Sequence, residues 1–541
     1  MLLIYLVIAP ILVGVLLYFF HFKKATRILA ILAQIGIFIG SIFLFIEARE
    51  LTELYPIGRA FGMEGVTYNI GGFYYGMGII LVSDVLSAVF IMLTAFMFLL
   101  AIFYSFNENN TSLYWFLLFL WQGVLMGVFL SGDFFNIFVL LEVGTLVVTI
   151  LILFSRKNRS LYDGLIYFMV NVVSMQFYLL GVGYIYRYTG TLNIYYANAQ
   201  FANTGREYLM LPYALIMTFI VLKSALVPLY SWLPKAHGTK GAPSAVSALL
   251  SGLHIKSSVY LFLRFQYTFE IVALTEFFMV LGIITAIFGF VMALGQKDLK
   301  LILAYHTISQ IGLIFTGLNM GITYSYMGAL YHMMNHALFK STLFLSGGII
   351  AYAYGTRNVY EIRGVLKKMP VVGVATMLAV FGITGTPIFN GSISKYFISS
   401  ETYGLMNWIL IFMSLGTIVS FIKFSTILFG EPKKEIGEKK VDILQQIPII
   451  VLGSLCFLGG IFGRQFIDIL FNVQLTIDPA GYFEKSLIFF ASLVVGYLLF
   501  KYYVKDSKLI KTAGAMELGF RSIIMAIGLF FATILLFVGF S

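Results

Sequence analysis

An ionisable side chain lies inside a long apolar run of this sequence. Glu142 follows Asp133 by about two and a half helical turns, with only apolar and small residues after it as far as Ser155. If the run spans a bilayer, Glu142 lies near the midplane, where a carboxylate must be paired, protonated or in contact with water. Glu142 is therefore a candidate functional residue; the alternative is a chance acid at a helix end or facing a loop.

Lys223 precedes two prolines, Pro228 and Pro234, which an undisturbed helix does not accommodate. Broken helices at membrane depth are tolerated where the backbone is covered by protein or lines a cavity, and they often mark ion sites. The proton affinity of a buried ammonium group depends on the distance to a carboxylate. Glu142 and Lys223 therefore predict a pair that loads or expels a proton, and the alternative is a static salt bridge.

Lys256 is a third buried candidate, in the segment Leu253-His254-Ile255-Lys256-Ser257-Ser258. Lys256 and the adjacent serines suit a chain of water molecules. His254 lies two positions away and points to a different helix face. A packed, hydrogen-bonded histidine is the commoner explanation for His254.

His332, His336 and Lys340 recur every four residues, which places them in a line roughly 12 Å long on one helix face. Imidazole exchanges protons near neutral pH, so the line suits a proton relay. A purely structural role and a metal site are the alternatives, but a metal needs a third ligand and none lies nearby in sequence. His306 is a weaker candidate near a helix start.

Lys395 follows a second helix-breaking segment, Gly385-Thr386-Pro387. Broken helices accompanied by a lysine thus occur twice, five predicted helices apart. Inverted repeats with discontinuous helices at matching places are a common plan of transporters. Predicted helices 4–8 and 9–13 are the candidate repeats.

Composition predicts an all-α polytopic membrane protein. Of the 541 residues 60% are hydrophobic and 11% charged, against about 25% charged in soluble domains. The single Cys456 excludes an internal disulfide and an iron–sulfur cluster held by this chain alone. The sequence contains no dinucleotide- or phosphate-binding glycine pattern, so we expect no cofactor. Because His332 and His336 have no third ligand nearby in sequence, we do not expect a metal either. The net charge of +11 is dispersed over short loops, which is not the pattern of a nucleic-acid-binding protein.

Apolar segments of membrane-spanning length predict about 14–16 helices. We expect the first segment, 1–20, to be retained and not cleaved. The predicted segments are 1–20, 27–46, 78–104, 112–131, 134–155, 163–186, 209–232, 244–267, 272–295, 301–319, 325–352, 370–398, 404–429, 446–470, 485–504 and 519–540. The stretch Ile194–Tyr208 is predicted to be an interfacial loop. Alternate loops hold most of the 35 Lys and Arg residues, which predicts both termini on the outer face of the membrane. We expect this membrane to be the plasma membrane of a prokaryote.

Several motifs together resemble the antiporter-like subunits shared by respiratory complex I, Mrp-type sodium/proton antiporters and membrane-bound energy-converting hydrogenases. The resemblance covers roughly residues 78–430. It rests on Gly132–Asn136 with Glu142, Leu222-Lys223 through Trp232–His237, Ala242–Leu250, Asp298–Lys300 through Ser309–Gly312, Asn335–Lys340 and Gly355–Asn358.

The resemblance implies two inverted five-helix repeats with broken seventh and twelfth helices. The expected division is N-terminal helices at 1–111, repeats at 112–267 and 268–430, and C-terminal helices at 431–541. It also implies a polar axis of proton translocation through Glu142, Lys223, Lys256, His336 and Lys395.

The resemblance further implies a subunit that works with homologous and small membrane subunits, in contact with lipid, and moves H⁺ and in some members Na⁺. A lysine at position 395 is similar to the D-type subunits of Mrp antiporters, to the hydrogenase version and to the distal complex I subunit, whereas one complex I paralogue has a glutamate there. The resemblance thus favours an Mrp-type D subunit or the related hydrogenase subunit, and the alternative is a proton-pumping complex I subunit. Such a subunit has no redox centre of its own, although some complexes of this kind are redox-driven. The loop from Tyr502 to Phe520 is too short for the long lateral helix of the distal complex I subunit.

Overall fold

The computed structural model describes residues 1–19, 23–51, 65–73, 78–108, 110–154, 158–238, 242–431, 441–505, 507–514 and 518–540. Some of the basic loop residues on which the predicted orientation depends lie outside the described residues: Arg156, Lys157, Lys240, Lys433, Lys434, Lys439 and Lys440. Within the described part the chain is almost entirely helical, as composition predicts.

The first half of the chain supplies eleven helices and one short β-hairpin. The helices are α1 (Leu2–Phe19), α2 (Lys23–Leu51), α3 (Val85–Ser105), α4 (Ser112–Leu130), α5 (Phe134–Ile152), α6 (Asn158–Thr189), α7 (Ile194–Phe201), α8 (Arg206–Lys223), α9 (Trp232–Gly238), α10 (Ser244–Leu249) and α11 (Ile255–Thr268). The strands β1 (Val66–Asn69) and β2 (Ile80–Ser83) pair antiparallel before α3.

The second half supplies twelve more helices. They are α12 (Thr275–Gly295), α13 (Leu299–Leu318), α14 (Thr323–Tyr354), α15 (Val365–Lys368), α16 (Pro370–Thr384), α17 (Asn390–Ser399), α18 (Gly404–Ser425), α19 (Ile443–Ile461), α20 (Gly463–Phe471), α21 (Pro479–Leu499), α22 (Lys508–Gly514) and α23 (Phe520–Phe540). Short 3₁₀ segments occur at Ile70–Gly72 and Glu270–Val272, and π-helical segments at Leu250–His254 and Phe500–Val504.

Fourteen spans of the described chain, with α10 to α11 and α21 to Val504 each taken as one, are long and apolar enough to cross a membrane. The other two predicted helices, 209–232 and 370–398, are both interrupted. The first consists of α8 and α9, separated by a non-helical stretch after Lys223. The second consists of α16, capped by Gly385 in the left-handed conformation (φ 82°), and α17. Broken helices therefore occur at both places that the prolines predict.

Two local predictions were wrong, and the predicted helix 244–267 is confirmed as one span that contains an irregular turn. The stretch Ile194–Tyr208 is not a loop: Asn193 accepts hydrogen bonds from the backbone N–H groups of Tyr195 and Tyr196 and so starts α7, while α8 already begins at Arg206. The predicted helix 244–267 contains the π-helical turn Leu250–His254. The predicted helix 446–470 is divided into α19 and α20 at Phe462.

A tight backbone corner fixes the start of α5. Asp133 forms an isolated antiparallel bridge with Asn193, and the Phe134 N–H donates to the Leu192 carbonyl at 2.9 Å. The Asp133 carboxylate accepts from the Asn136 N–H and caps the helix.

An equivalent corner fixes the start of α13. Asp298 bridges Asn358, and the Leu299 N–H donates to the Arg357 carbonyl at 2.8 Å. The same letters, Gly-Thr-x-Asn, precede the bridge at 190–193 and 355–358. Five crossings separate Asp133 from Asp298, so the two corners lie at opposite ends of the bundle. This agreement supports the inverted division at 112–267 and 268–430, which stays a prediction.

Candidate ion-translocation site

Lys223 lies at the last residue of α8, where the helix breaks, and is buried. Its Nζ donates to Thr145 Oγ1 at 2.9 Å. Thr145 lies one turn beyond Glu142 on the same face of α5. Within the described residues no hydrogen bond or ion pair joins Glu142 to Lys223, although their opposite charges interact at longer range. The structure thus brings the predicted pair together at one turn of α5 without direct contact.

A small cavity connects Lys223 to the region around the π-helical turn. His254, Ser257 and Ser258 line it together with Lys223. The Ser258 hydroxyl also accepts from the Ser224 hydroxyl at 3.0 Å, immediately after Lys223. The polar groups of this cavity therefore lead from the break in α8 toward α11.

His254 is held between two aromatic side chains. Trp121 Nε1 donates to His254 Nδ1 at 3.3 Å, and Tyr167 lies 3.4 Å from Nε2. Because Nδ1 accepts from the indole, the neutral ring carries its proton on Nε2. His254 is thus a packed and hydrogen-bonded histidine at the edge of the cavity.

Lys256 and His336 form the centre of the axis. Lys256 Nζ lies 2.9 Å from His336 Nδ1, and both side chains have 0% exposure. Lys256 also donates to the Ser251 carbonyl at 3.2 Å, within the π-helical turn. His336 Nε2 is buried without a hydrogen-bond partner. An ammonium group in contact with an imidazole nitrogen has both a donor and an acceptor for proton transfer.

His332 continues the line one turn before His336. Its Nε2 lies 3.0 Å from Gln310 Oε1, and its Nδ1 lies 2.8 Å from Ser394 Oγ. Ser394 Oγ is also within reach of the Asn390 carbonyl at 3.2 Å. When the ring is neutral, the Ser394 hydroxyl donates to Nδ1; when it is protonated, Nδ1 donates to Ser394, which donates to Asn390. His332 therefore has partners in both protonation states.

Lys395 lies at the second helix break. Its Nζ donates to the carbonyls of Ile383 and Thr384, each at 3.0 Å, at the C-terminal end of α16. Helix C-termini attract cations. Lys223 and Lys395 thus both lie at a helix break, but the Lys223 ammonium group contacts α5, whereas the Lys395 ammonium group contacts the end of α16.

The remaining buried bases are less directly connected. Lys340 donates to the Leu303 carbonyl at 2.7 Å. His306 packs against the ring of Phe421, and neither of its ring nitrogens has a hydrogen-bond partner. Lys423 donates to backbone carbonyls at the C-terminal end of α12, including Leu294 at 2.8 Å, and so stabilises that helix end.

Sequence reasoning did not select the neutral partners Thr145, Gln310 and Ser394. Thr145 lies one turn from Glu142, and Ser394 directly precedes Lys395. Their positions beside these candidates are therefore a weak indication that they belong to the same site. His237 was also missed as a candidate: it is fully buried, stacks on Phe344 and has no partner for either ring nitrogen. Among the described residues no group of three or more His, Cys, Asp or Glu side chains is placed to hold a metal ion.

A known family matches this architecture over more than half of the chain. The family described as "NADH:quinone oxidoreductase/Mrp antiporter, TM" matches residues 131–422. The chain belongs to this family. The match includes every residue of the proposed axis from Glu142 to Lys395, so the axis lies within the family's membrane region.

Curated relatives of this family member come from two kinds of complex. The D subunit of the Na(+)/H(+) antiporter of Alkalihalophilus pseudofirmus is 28% identical over 508 residues, which cover 89% of this chain and 99% of the relative. The N subunit of the NADH-quinone oxidoreductase of Desulforudis audaxviator is 32% identical over 435 residues, covering 74% and 85%.

Two solved structures share the fold. A chain of the Mrp complex from Dietzia sp. and a chain of the membrane-bound sulfane sulfur reductase, described as an archaeal respiratory membrane complex, both superpose with a TM-score of 0.78. Each covers 91% of this chain and 99% of its own length at 21% identity. The shared fold thus extends beyond the family match into the N- and C-terminal helices.

Proposed function

We propose that this antiporter-family protein translocates protons, or exchanges Na⁺ for H⁺, within a multisubunit membrane complex. The contact between Lys256 and His336 is the observation that carries the proposal. Two basic groups meet at 2.9 Å in a fully buried position, where an unpaired charge is costly. If Lys256 and His336 share one proton, two adjacent positive charges are avoided, and the proton can move from one residue to the other.

The order of the buried groups gives the route. A proton is held at Lys223 when Glu142 is near and passes through the cavity of Ser257 and Ser258 to Lys256. Transfer from Lys256 Nζ to His336 Nδ1 leaves a neutral amine and an imidazolium ion. His332 and Ser394 then connect His336 to Lys395.

The partner subunits meet the face of α5 that carries Glu142. Glu142 shares this face with exposed apolar residues on both sides; these are Phe135, Val139, Leu146 and Ile150. Because a carboxylate facing lipid is unstable, we place a neighbouring subunit against this face. A change in that subunit then alters the distance between Glu142 and Lys223 and couples the driving force to the axis.

We further propose that the Asp298 end of the bundle faces the cytoplasm of a prokaryotic cell and that both termini lie outside. The excess of Lys and Arg in the loops at that end supports this orientation. The driving force comes from a redox partner or from a counter-ion gradient.

An Mrp-type complex is the assembly that the comparisons favour, because the relative named as the D subunit of a sodium/proton antiporter matches nearly from end to end. The higher identity to a quinone oxidoreductase subunit supports a redox-driven pump as the second candidate. The described part of the loop after Val504 holds only the seven-residue α22, so the long lateral helix of the distal complex I subunit is not found there.

Proton movement by the native complex in sealed vesicles tests the proposal. We expect an imposed sodium gradient to drive proton movement without reductant, and Lys223→Ala to abolish it. Movement that requires reductant would identify the redox-driven alternative. Undiminished movement in assembled Lys223→Ala complex, under both conditions, would contradict ion translocation by this chain.

A further inference from the structure

Lys395 shares its cavity with a second lysine. The cavity is formed by the broken helix α16–α17, by α18 and by α21, and both Lys395 and Lys485 line it. Lys485 belongs to α21, outside the stretch matched by the family. No carboxylate lines the cavity among the described residues, whereas hydroxyl groups of Ser392, Ser414 and Ser486 do.

The position of Lys485 is fixed by α18. Its Nζ donates to Asn407 Oδ1 at 2.8 Å, and the side chain is half-buried. Asn407 lies in the first turn of α18 and Lys485 in the second turn of α21. Both turns lie at the Asp133 end of the bundle, which the proposed orientation places on the outer side.

Two hydrogen-bonded contacts attach α21 to the helix break. The Tyr482 hydroxyl accepts from the Ile388 N–H at 3.0 Å and lies 2.8 Å from Ser392 Oγ. The Tyr396 hydroxyl accepts from the Asp478 N–H at 3.1 Å. Ile388 is exposed, so the break opens toward the surface beside Tyr482. The cavity that contains Lys395 is therefore lined on this side by the hydroxyl groups and the charge that α21 supplies.

None of the other described ionisable groups around the cavity places a negative charge inside it to balance the positive charge of Lys485. His332 and His306 lie on the bundle side of Lys395 and interact with it electrostatically. Tyr396 and Tyr482 are neutral hydroxyl partners, and the Asp478 carboxylate caps α21 by accepting from Ala480 and Gly481. Glu484, exposed on the outside of α21, is the acid whose charge acts on Lys485.

We propose that Lys485 is a positioning residue that drives proton release from Lys395 to the outer face. This inference rests on the proposed function. When Lys395 is protonated, the cavity is lined by two ammonium groups, and like charges repel each other. The repulsion is relieved when the proton leaves Lys395 Nζ for water in the cavity and passes to the outside, while Lys485 keeps its own proton and its bond to Asn407.

The dependence of transport on outer pH tests the inference, measured on the complete complex in vesicles at constant inner pH. In Lys485→Gln, Lys395 holds its proton more tightly, so half-maximal release requires an outer medium more alkaline by about 0.5–1 pH unit. Lys485→Arg keeps the charge and retains the wild-type profile. Lys501→Gln, an exposed lysine further along the same helical segment, is the matched control and leaves the profile unchanged.

A Lys485→Gln profile that superposes on the wild type would overturn the inference, as would equal shifts in Lys485→Gln and Lys485→Arg. If Lys485→Gln does not assemble, Glu484→Gln replaces it. Removal of the exposed negative charge is expected to move the pH profile of transport toward acid, and an unchanged profile overturns the inference.

Lys256→Gln separates the two proposals. If Lys256→Gln transports normally, the proposed function fails; if it is inactive and Lys485→Gln is unchanged, only the role of Lys485 fails.

Discussion

The hydrogen-bond partners of Lys423 and Lys256 indicate different roles for these two buried lysines. Lys423 donates to backbone carbonyls, which cannot take up a proton, so its bonds stabilise a helix end. Lys256 contacts an imidazole nitrogen, which can. Of these two lysines, Lys256 is therefore the one whose partner can take up its proton. Lys395 also donates to carbonyls at a helix end, but it lines a cavity with several hydroxyl groups.

Ser394 is predicted to contribute to the rate because it partners His332 in both protonation states. Ser394→Ala leaves Nδ1 without a partner, and we expect proton transport to fall about 3–10-fold, the effect of one lost hydrogen bond. Transport by the assembled complex in vesicles measures this. Ser346→Ala is the control; it removes a buried hydroxyl of α14 that donates to the Leu343 carbonyl at 3.4 Å. Equal rates for the two variants would contradict the role of Ser394.

The ion pair of Asp84 with Arg264 is predicted to give a pH-dependent stability. Burial tends to raise the pKa of Asp84, but the adjacent Arg264 charge and hydrogen bonds from Arg264 and Ser87 outweigh it and hold the pKa below its usual 3.8. A carboxyl whose pKa is lowered by folding contributes stability above its unfolded pKa and loses it as the pH falls through the folded pKa.

Asp84→Asn should therefore reduce the stability at pH 7 by about 3–5 kcal/mol, because it leaves Arg264 buried without its acid. The difference from wild type should shrink below about pH 4. Thermal unfolding in detergent across this pH range measures it. A difference that is independent of pH would show that the Asp84 charge is not the cause.

The sequence predicts which residues belong to the proposed axis, but it does not predict their contacts. Glu142, Lys223 and Lys256 were selected because charges in apolar runs are rare. Lys256 contacts His336 on another helix, and no local feature of the sequence predicts a contact between residues so far apart in the chain. The neutral groups Thr145 and Ser394 are ordinary in helices, so only the folded arrangement shows that they contact the bases.

At the scale of elements, the broken helices depend on close backbone packing. A Cβ atom added at Gly391 would overlap the Gly382 carbonyl oxygen, where α17 turns back against α16. This approach places Lys395 beside the carbonyls of Ile383 and Thr384. Position 391 therefore requires glycine because there is no room for a Cβ atom, and not because the backbone has a positive φ.

Gly391→Ala is predicted to destabilise the chain by about 1–3 kcal/mol through overpacking and to reduce transport by displacing Lys395. Thermal unfolding and vesicle transport measure the two effects. Gly183→Ala in α6, where nothing lies within 4 Å of an added Cβ, is the control and should be neutral. A Gly391→Ala protein as stable and active as the control would contradict the packing argument.

Helix number and the positions of the two breaks were predictable because apolar run length and proline act locally. The π-helical turn Leu250–His254 was not, since its residues do not differ from those of an ordinary α-helix. The helix α7 was missed because its Tyr, Asn and Ala residues are typical of an interfacial loop, and the capping by Asn193 was not recognised.

At the scale of the whole molecule, the axis links the two halves of the chain. Glu142, Lys223 and Lys256 come from the predicted first repeat, while His336 and Lys395 come from the second. The contact between Lys256 and His336 is the only direct bond between axis residues of the two halves within the described chain. Proton transfer through the subunit, if it follows the axis, must use this contact.

Proton transport by the assembled complex carrying Lys256→Gln therefore tests the account most directly. Removal of an acid–base group of this kind reduces a rate by about 10²–10⁴-fold, and we expect transport to fall at least a hundredfold with assembly unchanged. Lys423→Gln is the matched control, a buried lysine that should lower the melting temperature while the transport rate per complex stays near wild type. Wild-type transport in Lys256→Gln would contradict the account.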